Sequence, residues 1–159
     1  MNDNKENPRK YQEGLFTAIS AGFFLLLVGA LFVITPNLSN NILNFFDNVK
    51  MVDVPNTDVV FLGPQLPTNH LALYQVVGQF SIAWAIFQII ILTLRFFIPS
   101  SWEKRSETVS NFVYWTGTAV LLQLFLIENT QWFVFWSTII IIAGVSLIAR
   151  AAVMAVSRI

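Results

Sequence analysis

Cysteine is absent from the sequence, which excludes disulfides, thiolate metal sites and cysteine nucleophiles. Histidine is almost absent, with His70 standing alone. A zinc site of the usual kind draws about four ligands from His, Cys, Asp or Glu, and no such cluster is visible. Charge is also scarce. Charged residues make up 11% of the chain and hydrophobic residues 55%, against about 25% and about 45–50% in soluble domains. So little charge cannot coat a water-soluble core. Phosphate-cradling loops, nucleophile elbows and metalloprotease motifs are missing as well. The expectation is a protein that is not an enzyme, with no catalytic residues, no cofactor and no metal.

What the chain has instead is four long apolar runs, at roughly Gly14–Thr35, Leu71–Ile98, Thr108–Ile127 and Trp132–Val156. About 20 helical residues cross about 30 Å of hydrocarbon, so each run is long enough to span. The predicted fold is an all-α integral membrane protein, a four-transmembrane-helix bundle forming a single membrane domain over residues 1–159. The first run is too long for a signal peptide and ends at Thr35-Pro36 with no small-residue cleavage site, so it reads as a retained helix.

Eight of the nine Lys and Arg residues lie at or beside alternate gaps between the runs. By the positive-inside rule, the polar tail 1–13, the gap after Pro99 and the C-terminus face the cytoplasm, and the protein belongs in a membrane, the cell membrane being the expected one. The zero net charge conceals a separation. The outer side holds Lys50 against Asp47, Asp53, Asp58 and Glu128, while the inner side has an excess of base. The inner bases are too few and too mixed with acid for nucleic acid; they suit anionic headgroups. Arg95, Lys104, Arg105 and Arg150 form this layer, and Arg95 and Arg150 are expected to snorkel to lipid phosphates.

The outer loop, 36–70, begins with LSNNILNFFDNVK, in which Leu38, Ile42, Phe45, Phe46 and Val49 recur at helical spacing among asparagines. That pattern predicts an amphipathic helix lying in the interface. Pro55, Gly63, Pro64 and Pro67 punctuate the rest of the loop, leaving one short extended piece at Val59–Leu62. Ser106 is the predicted N-cap of the third helix.

Inside the runs, the polar side chains are mainly amides. Gln75 and Gln79 share one side of the second helix, and Gln123 lies at similar depth in the third, with Glu128 beside it. Gln88 sits deeper, on roughly the opposite side with Trp84 and Arg95, where Ser20 or Asn111 could satisfy it. These glutamines form either a polar intramembrane site or interhelical hydrogen bonds. Small residues mark packing positions: Ala18, Gly22 and Gly29 in the first run, and Ser137, Gly144 and Ala151 at every seventh position of the fourth.

The outer-loop cysteines that mark claudin-like and tetraspanin four-helix proteins are absent. Two function classes remain. The first is a non-catalytic structural or accessory subunit, packing with itself as a homo-oligomer or with other membrane subunits in the lipid bilayer. The second is a small oligomeric transporter or channel using the glutamines. A lipid-acting enzyme has least support, since only Glu128 and His70 could serve as acid or base.

Overall fold

The structure is a computed structural model that describes residues 8–98 and 100–156. Lys5 and Arg158 lie outside the described residues, as do the side chains of Arg9 and Lys10. The chain is mostly helical, and four of its helices are long and apolar enough to cross a membrane. Helix α1 runs over Pro8–Ile34, α2 over Leu38–Asn48, α3 over Leu71–Phe97, α4 over Trp102–Leu121 and α5 over Trp132–Val156. Beyond its last residue α4 widens into a π-helical segment, Leu122–Glu128.

Local chemistry sets the breaks. Pro36 follows α1, and Asn37, the residue that turns the chain into α2, adopts a left-handed conformation with φ of 56°, which asparagine tolerates better than most residues. Helix α3 ends one residue before Ile98, which is extended with ψ of 132°. Proline follows at 99, and the residue before proline is driven out of the helical region. The N-cap of α4 is Ser101, not Ser106: its hydroxyl accepts from the Lys104 amide, so the helix starts earlier than the apolar run does. Ser106 is buried and donates back to the Glu103 carbonyl.

The substantial interhelical contacts run from α1 to α3, from α3 to α4 and from α4 to α5. The four long helices therefore form an open row. The short connections make α3, α4 and α5 alternate in direction. Gly117 lets α4 approach α5, since a Cβ there would lie 2.7 Å from Ile142 Cγ2. None of the most apolar stretch of α1 is buried, and little of that of α5.

Between α2 and α3 lies an antiparallel hairpin of β1, Val49–Asp53, and β2, Val60–Pro64, with Met51 opposite Leu62. Sequence periodicity anticipates an extended piece near β2 and misses β1. Asn48 pins the hairpin to the helices: its side-chain oxygen accepts from the Leu66 amide at 3.1 Å and lies 3.2 Å from His70 Nε2. The Trp132 indole donates to the Leu62 carbonyl at 3.2 Å, and Gly63 is the close-approach point, where a Cβ would sit 3.0 Å from the same ring. Hairpin, α2 and the start of α5 thus share one end of the row. Glu13, Arg95, Ser100 and Lys104 share the other.

Candidate functional site

The four glutamines separate onto two faces. Gln75, Gln79 and Gln123 line a groove of about 810 Å³ between α3 and the paired α4 and π-segment. All three are exposed there, among Ile82, Ile86 and Val120. Gln123 Nε2 donates to Glu128 Oε1 at 3.0 Å, a bond between residues five apart that the wide π turn brings together. Gln75 and Gln79 make no side-chain hydrogen bond among the described residues.

Gln88 is buried and faces a second cleft, of about 560 Å³, between α1, α3 and α4. Ser20 and Asn111 line the same cleft, together with Trp84 and Trp115. At its mouth is an ion-pair cluster. Arg95 Nη1 donates to both Glu13 oxygens, at 3.2 and 3.0 Å, and to Ser100 Oγ at 2.9 Å. Ser100 in turn donates to Glu13 at 2.8 Å. The guanidinium carbon lies 4.8 Å from the Phe16 ring centroid, a cation–π distance. Arg95 as a whole is only 8% exposed. Where the sequence suggests a headgroup contact, the structure supplies Glu13, a partner on a different helix that no local spacing reveals.

The other inner bases are more open. Arg105 donates from Nε to the Arg95 carbonyl at 3.1 Å, closing the C-terminal end of α3, where a cation also meets the helix dipole. It stacks near Phe96 and Trp102. Lys104 pairs with Glu107 at 2.8 Å, and Arg150 approaches Glu103 at 3.9 Å. Such exposed pairs contribute little stability. Their Nζ and guanidinium groups remain in reach of solvent or headgroups.

The small residues singled out from sequence face outward. A Cβ at Gly22, Gly29 or Gly144 would meet nothing within 4 Å, and Ala18, Ser137 and Ala151 are exposed. Gly117, which sequence reading passes over, is the glycine that carries an internal helix contact. His70 stacks edge-on against Phe45 at 5.2 Å and bonds Asn48, so it serves the loop packing. Among the described residues no group of His, Cys, Asp and Glu could hold a metal ion. Comparison of the chain with family models, with curated proteins and with solved structures gives no match.

Proposed function

We propose that the chain is a non-catalytic subunit of a membrane assembly, and that the glutamine-bearing groove of α3 and α4 is its contact face. The observation that carries this reading is the exposure of Gln75, Gln79 and Gln123 on the outside of the helix row. Amide groups facing hydrocarbon are costly without partners, so a neighbouring transmembrane helix with polar side chains is the natural cover. The outward-facing Gly22, Gly29 and Gly144 allow further close approach by other helices. The transporter reading receives less support from the geometry, because Gln88 lies on a different face from the other three.

Native mass spectrometry of the gently solubilised protein tests this. The expected result is an assembly larger than the 18.0 kDa chain. Interhelical polar contacts in membranes average about 0.6 kcal/mol and reach about 1.7. Gln79→Leu should accordingly weaken assembly by about three- to eighteenfold. A single chain with no partner would sink the proposal. Solute flux in liposomes that Gln79→Leu or Gln88→Leu abolishes would instead favour the transporter.

The proposed orientation puts both termini in the cytoplasm, the β-hairpin outside and α2 flat in the outer interface. Its support is the placement of the described bases Arg95, Lys104, Arg105 and Arg150 at one end of the row, opposite the hairpin. The chain has no cysteine, so one introduced cysteine is labelled uniquely. Asp58 is an exposed position of the hairpin loop, free of the left-handed backbone found at Asn56. Asp58→Cys should react with an impermeant maleimide in intact cells. Reaction confined to permeabilised cells would reverse the assignment.

A further inference from the structure

We propose that the cleft between α1, α3 and α4 holds one acyl chain of a diacyl phospholipid, with the Gln88 side-chain amide donating to the chain's ester carbonyl. The cleft measures about 560 Å³, within the range of about 300–1,000 Å³ usual for small-molecule sites. Helices α1 and α4 both pack on α3, and the cleft runs between them. From Arg95 at its mouth to Phe80 at its far end is fifteen residues of α3, or about 22 Å. One leaflet of a bilayer holds about 15 Å of hydrocarbon, half of a core of about 30 Å. The cleft is therefore long enough to take a lipid chain from headgroup level to the midplane.

Gln88 is the side chain that needs a ligand. It is only 7% exposed, and its amide makes no hydrogen bond among the described residues. It is not sealed, however. Gln12 Oε1 is enclosed and unpaired, whereas both polar atoms of Gln88 keep accessible surface, and the cleft is the opening that Gln88 lines. Ser20 and Asn111 line the same cleft and also make no side-chain hydrogen bond among the described residues. Gln88 is seven residues from Arg95 along α3, and Asn111 is seven from Lys104 along α4. Both amides therefore lie about 10 Å beneath the charged mouth. An amide left unpaired at that depth in hydrocarbon is costly.

The surroundings select the ligand. The charges at the mouth already pair with one another, Glu13 with Arg95 and Lys104 with Glu107. The grip therefore falls to the amides and to the rings beyond them. Gln88 and Asn111 bring N–H donors, and the ester carbonyl of a diacyl phospholipid is an acceptor. Deeper in, the wall is aromatic. Trp84 lies 5.8 Å from Phe80, 5.9 Å from Phe24 and 6.4 Å from Trp115, centroid to centroid. Rings in mutual contact leave no slot for a flat ligand between them, but a flexible chain can lie across them. A neighbouring helix is too thick to enter: about 22 Å of helix, about 10 Å across, fills about 1,700 Å³.

The test is native mass spectrometry of the full chain in detergent, titrated with dioleoyl phosphatidylcholine. One adduct per chain should saturate. The dialkyl ether analogue, with the same head and chain length but no carbonyl, probes the hydrogen bond. It should bind the wild-type chain about two- to twelvefold more weakly than the ester, the worth of one hydrogen bond. Gln88→Leu should lose affinity for the ester by the same factor and should no longer tell the two lipids apart. Where Gln88→Leu fails to fold, Ser20→Leu narrows the same cleft and should weaken both lipids alike. A ladder of adducts that never saturates, as annular lipid gives, would overturn the proposal. Equal affinity of the wild-type chain for ester and ether would also overturn it, assigning the Gln88 amide to water or to Asn111. So would a preference for the ester that Gln88→Leu leaves intact, or binding that Ser20→Leu does not weaken.

Discussion

Arg95→Leu is expected to destabilise the protein by about 3–5 kcal/mol, the usual cost of breaking a buried ion pair from one side. The substitution strands Glu13, whose side chain is 28% exposed beside an Arg95 side chain that is 10% exposed. The carboxylate would keep only Ser100 as a donor, and Phe16 would lose its cation. Deleting both charges should cost much less than deleting one. Glu13→Leu combined with Arg95→Leu should therefore recover most of the loss, giving a large coupling in a double-mutant cycle. Unfolding followed by tryptophan fluorescence in micelles reads all four states. A loss below about 1 kcal/mol with no coupling would mean that solvent or lipid headgroups screen the pair as they do an exposed one.

The Glu13–Arg95 pair also marks the boundary of what the sequence makes legible. Run length and proline placement suffice for the long helices, because spanning hydrocarbon demands an apolar stretch of a set length and proline ends it. Helical rotation of about 100° per residue already separates Gln88 from Gln75 and Gln79, and the structure lines two different clefts with them. Partners across helices are another matter. Nothing near Arg95 in the chain points to Glu13, 82 residues away. The β1 strand is similar: VKMVD is short and carries two charges, and its partner β2 lies in a loop that Asn48 and Trp132 tie down from distant elements. The start of α4 shows the opposite error. Apolar content begins near Thr108, but Glu103, Lys104 and Arg105 are good helix formers, so the helix extends past the apolar run to Ser101.

Glycine gives the last instance, and with it a second large effect. Gly117→Ala should destabilise the α4–α5 contact by about 1–3 kcal/mol, and Gly117→Val by more, through overpacking. A Cβ at 117 would lie 2.7 Å from Ile142 Cγ2, 2.9 Å from Cδ1 and 3.2 Å from Cγ1. Ile142 cannot simply swing away, because its branched Cβ stiffens χ1 within a helix. Ile142→Ala removes all three clashing atoms. Its own cost should shrink in the Gly117→Ala background, which thermal unfolding of the double variant would show. Gly144→Ala is the matched comparison. Nothing lies within 4 Å of its added methyl, and alanine is the better helix former by about 0.5–1 kcal/mol. In the isolated chain it should be neutral or stabilising. Loss at Gly117 with the chain alone, but at Gly144 only within a larger assembly, would divide the glycines by role: one closes the protomer, the other waits for a neighbouring helix. Equal loss at both in the isolated chain would contradict the helix row, since α5 would then have to bury its Gly144 face within the protomer.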